Sequence, residues 1–344
     1  MLVVVWSLAA LVAVNLALAG GVVFLRVRND FRARRWHRIE GRWYPALLDL
    51  LAGDTTAATL LPYVQQSEVV PVVEICGRMV RRVSGDDRKI IRDFARPLLG
   101  GLGPMLGARQ PEKRANAIQL LTSLGTDDEF RSEVVAALVD PSPLVSMVAA
   151  RVVASRRRID LASEVLGQLD RFEMWSEAFL ASMLASMGSE IAPELRDSFS
   201  SSDCSSTVRS VTARALAEFR DLPASDIAAG FIQEDGQDDR VLMIASLRVI
   251  EAVGQTKHLE VVRPLLGHED SVIRALAATI LGKIGVAADG VALAAAVSDE
   301  SPWVAIHAAT ALRLLGQIDT LRELSRTGDA GSEAALEALE MVAS

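Results

Sequence analysis

Apolar residues recur along this chain at spacings of three and four, and they do so in blocks that nearly copy one another. From Gln237 the chain reads QDDRVLMIASLRVIEAVG, from His268 HEDSVIRALAATILGKIG, and from Asp299 DESPWVAIHAATALRLLG. The starts are 31 residues apart both times, and the blocks close on Gly254, Gly285 and Gly316. The spacing predicts amphipathic helices. Each opens after an Asp-, Ser- or Pro-containing turn whose side-chain oxygens accept from the first free helical N–H groups. The helix from Val272 to Ile284 is one example, with a closing glycine suited to a left-handed cap. A shorter apolar helix follows, such as His258 to Leu266 or Gly290 to Val297. A fixed period of this size predicts stacked repeats, because one unit cannot bury its own apolar face.

The frame extends in both directions. Upstream, copies begin at Asp203, Asp170 and Asp140, and an incomplete one runs from Ala108 to Gly125; downstream, DAGSEAALEALEMV begins at Asp329. The intervals drift only from 30 to 34 residues. Ala277, Ala278, Ala308 and Ala309 give the helices small faces on which neighbours approach closely.

These blocks resemble the HEAT family, in particular its short bacterial form, the PBS-lyase-like HEAT repeats. The family pattern is a turn Asp followed five residues on by Val-Arg, then Ala-Ala and Leu-Gly. Val208-Arg209 follows Asp203, and Ile273-Arg274 follows His268 in the Asp slot. Val145-Ser146, Trp175-Ser176, Leu242-Met243 and Val304-Ala305 lack the Arg, which weakens the family's Asp–Arg ladder and leaves the apolar pattern intact. The resemblance covers roughly residues 108–342 and implies an all-α solenoid of the HEAT/armadillo type. Such repeats also occur in bilin lyases, which keeps an accessory enzyme as an alternative; the repeat consensus itself carries no lyase residues.

Ahead of the repeats, residues 1–25 contain no charged side chain. A helix of that length rises about 37 Å, enough to cross a bilayer core of about 30 Å. A transmembrane helix is therefore expected over 1–25, the rival being a cleaved signal peptide ending near Ala17-Leu18-Ala19. A basic segment follows over 26–44: Arg26, Arg28, Arg32, Arg34, Arg35, Arg38 and Arg42, interleaved with Trp36 and Trp43. It predicts a single-pass inner- or plasma-membrane protein, with the N-terminus outside and the solenoid cytoplasmic. It also predicts contact with an anionic lipid surface, a topology signal alone being the alternative. Residues 45–107 read as a divergent helical cap, punctuated by Pro62, Pro71 and Pro97. The Gly/Pro-rich stretch Gly100–Pro111 reads as the joint to the repeats at 108–344.

Charge narrows the partners. Residues 46–344 carry 29 basic and 42 acidic residues, a net charge of −13, which repels nucleic acid. Chemistry is sparse. No phosphate loop, HExxH, GxSxG or CxxC occurs. The single His268-Glu269 pair is too little for a metal site of the kind that HEAT-repeat di-iron hydroxylases build from several. No cofactor and no catalytic residue is expected. The expectation is a scaffold or adaptor for a protein partner, an accessory part of a membrane-associated assembly. Overlaying the copies puts Met147, Arg151, Arg214, Ile244, Arg248 and Ile306 on one stripe of the post-turn helices. Such a stripe suits an acidic, amphipathic partner segment. The alternative is that Met147 and Ile244 pack between repeats beneath the Arg stems.

Overall fold

The structure is a computed structural model; it describes residues 26, 30, 33–125, 129–234, 239–328 and 331–343. Among these residues there are helices and no strands. The chain divides into two compact units, Met1–Ala137 and Leu138–Ser344.

In the first unit the described part of α1 runs over 33–52. It is followed by α2 (Ala57–Leu60), α3 (Val69–Val80), α4 (Gly85–Ala95), α5 (Gly103–Leu106) and α6 (Pro111–Leu124), and α7 (Arg131–Leu138) closes it. Ile39, Trp43, Leu47 and Leu50 recur at helical spacing on α1 and are all buried. They join Val72, Ile75 and Cys76 of α3, Ile91 and Phe94 of α4, and Leu120 and Leu124 of α6 in one apolar cluster. The Gly100–Pro111 stretch, expected as a joint, lies inside this unit.

The expected membrane placement is overturned. Among the described residues no helix is long and apolar enough to cross a membrane, and residues 1–25, on which the transmembrane helix was expected, lie outside the described residues. α1, which follows the expected span and has the length, is itself no span, because Arg34, Arg35, Arg38, Glu40, Arg42 and Asp49 interrupt the roughly 20 apolar residues one requires. The single-pass topology, with an outside N-terminus and a cytoplasmic solenoid, therefore does not stand.

The second unit is a succession of helices: α8 (Pro143–Ser155), α9 (Ala162–Leu166), α10 (Glu177–Ala185), α11 (Ala192–Ser200), α12 (Ser206–Phe219), α13 (Leu222–Glu234), α14 (Arg240–Val253), α15 (Leu259–Val262), α16 (Ser271–Ile284), α17 (Gly290–Ala296), α18 (Pro302–Leu314), α19 (Ile318–Leu324) and α20 (Ser332–Ala343). The even-numbered helices, those after the Asp turns, pack each against the next. Ala277, Ala278, Ala308 and Ala309 are fully buried. α16 and α18 approach closely: a Cβ on Gly282 would stand 2.7 Å from the Ala311 Cα.

The turns repeat one device with different atoms. Asp140 and Asp299 accept from the backbone N–H groups two residues on, Ser142 and Ser301, each at 2.8 Å. His268 does the same through Nδ1, accepting from Asp270 N at 2.9 Å. Asp239 and Ser205 instead cap their helices directly, accepting from Leu242 N and Val208 N.

The closing glycines differ from expectation. Only Gly316 is left-handed, with φ 73°; Gly254 and Gly285 are extended, with φ −61° and −68°. There glycine is required by space, since a Cβ would lie 2.4 Å from Ile250 O or 2.2 Å from Leu281 O. In copies without the glycine, Arg157 and Arg220 take the left-handed conformation themselves.

Candidate interaction face

The ladder between repeats comes first, because it holds the face in place. Arg274 is buried, at 8% exposure. It forks onto Asp299 of the next turn with two bonds of 2.8 Å, and donates to the carbonyls of its own turn, His268 and Glu269, at 2.9 Å. These bonds from Arg274 hold the Asp299 carboxyl below its usual range and raise the guanidinium in turn. Arg209, the other family-pattern Arg, donates to Phe199 O and stacks over the Phe231 ring at 4.9 Å. Arg240 pairs with Asp270, and Arg263 with Asp289. His258 fills the slot that Asp289 fills one repeat later. Its Nδ1 accepts from Gln255 N at 3.0 Å and its Nε2 meets Asp226 at 2.9 Å, so the proton sits on Nε2. The exposed Asp226 carboxyl is lowered by its hydrogen bonds to Lys257 and His258.

Side-chain links join neighbouring post-turn helices in two stretches, α8 to α12 and α14 to α18. Arg151 of α8 lies over Phe179 of α10, 5.9 Å from the ring centre. Glu177 of α10 accepts from Ser210 of α12 at 2.7 Å and stands 4.0 Å from Arg214. Glu251 of α14 accepts from Arg248 at 2.7 Å and from Lys283 of α16 at 3.0 Å. Burial pushes the Glu251 carboxyl up, but these two hydrogen bonds together leave it below its usual range. Thr279 of α16 donates to Ala275 O at 2.9 Å, which leaves its oxygen to accept from His307 Nδ1 of α18 at 2.8 Å. Burial lowers the His307 pKa, so its ring is neutral at pH 7. Trp303 packs edge-on against that ring, centres 4.6 Å apart, while remaining 59% exposed.

The structure separates the stripe residues read from the sequence. Arg151 and Arg248 are exposed, Arg214 and Ile244 half-buried, and Ile306 is 39% exposed. Met147 is corrected: at 2% exposure it packs inside the stack and presents nothing to a partner. The Arg residues are not bare either, since Arg214 and Arg248 face Glu177 and Glu251. Sequence overlay missed Phe179, Lys283, His307 and Trp303. One signal was available, the i, i+4 spacing of Trp303 and His307 on a repeat that lacks the family Arg.

The basic segment is also redistributed. Trp43, expected at a membrane surface, is a core residue at 2% exposure. It packs on Phe94, and its indole N–H donates to Glu68 at 3.2 Å. Its position four residues after Ile39 and four before Leu47 puts it on the buried stripe. Trp36 is half-buried under the Arg78 guanidinium, 5.1 Å away. Arg26, Arg34, Arg35, Arg38 and Arg42 are exposed; Arg28 and Arg32 lie outside the described residues. Of the two Trp residues that the lipid-surface reading used, Trp43 is in the core and Trp36 is half-buried beneath Arg78.

Cys76 and Cys204 are free thiols, and burial pushes the Cys76 pKa up to about 12. Among the described residues, no group of three His, Cys, Asp or Glu side chains is placed to hold a metal ion.

A family profile described as HEAT repeats matches residues 235–313. A comparison with curated proteins finds no match. Among solved structures, the chain is similar to Kap121p at 13% identity and a TM-score of 0.41, over 82% of this chain and 42% of that one. It is similar to Kap121p bound to RanGTP at 13% identity and a TM-score of 0.40, over 83% and 42%. It is also similar to the complex of CpcE and CpcF of phycocyanin lyase from Nostoc sp. PCC7120, at 17% identity and a TM-score of 0.39, over 60% and 86%. The chain thus spans about two-fifths of the length of Kap121p. The described residues are helical without strands, and the HEAT-repeat match covers 235–313 alone.

Proposed function

We propose that the repeat unit is a protein-binding scaffold rather than an enzyme, and that its post-turn helix face takes an acidic, amphipathic segment of a partner. The observation that carries this reading is the composition of that face. Arg151 lies over Phe179, Ile244 and Arg248 stand one turn apart on α14, and Lys283, Trp303 and Ile306 are exposed on α16 and α18 of an acidic chain. Exposed aromatic and aliphatic side chains supply anchors, and Arg supplies forked donors for carboxylates. Arg248 and Lys283 share one carboxylate, Glu251, which leaves a positive charge for a partner to meet. The histidines support binding over catalysis: His258 and His268 are both occupied in holding turns.

The test compares the wild-type chain with Arg151→Gln/Arg214→Gln/Arg248→Gln and with Trp303→Ala/Ile306→Ala. Proteins that co-purify with each are identified by mass spectrometry, alongside helicity and melting. Gln keeps the stem and avoids opposing Glu177 and Glu251. A partner held by wild type and lost from both folded variants supports the face; one retained equally by both would rule it out.

A further inference from the structure

In the first unit, α1 and the turn before α3 enclose a groove of about 300 Å³ lined by Arg35, Arg38, Arg42, Gln65, Ser67 and Glu68. Arg35, Arg38 and Arg42 are spaced by three and four residues, so they share one face of α1. Buried Ile39 lies on the same wall. The groove is held by its own bonds. Arg35 Nη2 donates to Ser67 O at 3.0 Å. Glu68 accepts from the Trp43 indole at 3.2 Å and stands 3.7 Å from Arg42 Nη1, a charge pair beyond hydrogen-bond reach. The other α1 carboxylate nearby, Glu40, is taken by Arg78 at 2.6 Å. Arg38 bonds to no described residue.

Three guanidinium groups thus face one carboxylate across the groove. Each guanidinium has five N–H donors, and the contacts above use one of Arg35's. A carboxylate ligand would balance half of this excess charge. A phosphate monoester, with nearly two charges and three acceptor oxygens, would balance it in full. We infer that the groove formed by Arg35, Arg38 and Arg42 against the Gln65–Glu68 turn binds the phosphate of a phosphate monoester. Arg38 supplies the donors left uncommitted, while Arg35 and Arg42 flank the oxygens.

The experiment titrates the full 344-residue chain with glycerol 3-phosphate by isothermal calorimetry, with acetate as the singly charged comparison. Arg38→Gln and Arg35→Gln are expected to weaken glycerol 3-phosphate about tenfold or more, the effect of removing a charge-assisted donor. Arg81→Gln, an exposed α3 cap outside the groove, should leave it unchanged. Since Arg38 bonds to no described residue, its variant should melt as wild type. A second arm sediments the chain with phosphatidylcholine vesicles, with and without phosphatidic acid. Arg38-dependent binding in that arm assigns the phosphate to a lipid headgroup, and binding of glycerol 3-phosphate alone assigns it to a soluble ester. The inference is overturned if neither probe binds, if acetate binds as well as glycerol 3-phosphate, or if Arg38→Gln binds as wild type.

Discussion

Removing Arg274 tests the repeat ladder most directly. Its side chain makes four hydrogen bonds, two to Asp299 and one each to the carbonyls of His268 and Glu269. Arg274→Ala leaves Asp299 with its bond from Ser301 N, and strands two turn carbonyls. Breaking a buried charged pair from one side costs about 3–5 kcal/mol, and an exposed pair under about 1 kcal/mol. The Asp299 side chain is 13% exposed, so water partly replaces the lost donors, and the expected loss is about 2–4 kcal/mol. The exposed Glu300, 3.8 Å from Arg274, should add nothing measurable. Arg274→Lys should recover only part of the loss, because an ammonium cannot reproduce the fork. The assay is urea denaturation followed by far-UV circular dichroism for wild type, Arg274→Ala, Asp299→Ala and the double variant. A coupling of about 1–3 kcal/mol is expected from the cycle. A coupling near zero, or an Arg274→Ala loss within about 0.5 kcal/mol, would show that the ladder is a surface pair and refute its structural role.

Three further outcomes follow from the packing and the charges. The Ser246 hydroxyl is fully buried without a hydrogen bond, while the same register holds Ala277 and Ala308 one and two repeats later; Ser246→Ala should raise the urea midpoint, a gain of about 1 kcal/mol. Gly282→Ala should cost about 1–3 kcal/mol, because the new methyl meets the Ala311 backbone, whereas Gly267→Ala meets nothing and should be near neutral in the same assay. Stability should fall with acid in two stages. His307 is lowered by burial, so its contribution is present above pH about 6.5 and lost as pH falls through its folded value. Asp299 and Asp270 are lowered by bonds from Arg274 and Arg240, so theirs hold above pH about 4 and disappear below it. His307→Gln should flatten the first stage and Asp299→Asn the second, read from midpoints across pH; unchanged profiles would contradict both assignments.

The repeat period, the helix type and the turn positions were legible in the sequence because they are local. A period of 31 residues, an Asp or Ser before each helix and Ala-rich helix faces act within one unit or between neighbours. The role of Arg274 was legible for the same reason, since its partner Asp299 sits at the matching point of the next copy. The face was legible only as a stripe. Overlaying copies finds which residues share a register, but exposure depends on the residue opposite: the same slot buries Met147 and Ala275 and exposes Ile306. The closing glycines look alike in sequence, yet one answers a left-handed backbone and two answer the nearness of an earlier carbonyl. The basic segment was the least legible. Arg, Trp and Ile alternate there, and composition alone suits a membrane surface. Only tertiary packing decides that Ile39, Trp43 and Leu47 turn inward onto α3 and α4, because the apolar area they bury stabilises the fold only when those helices are there to receive it.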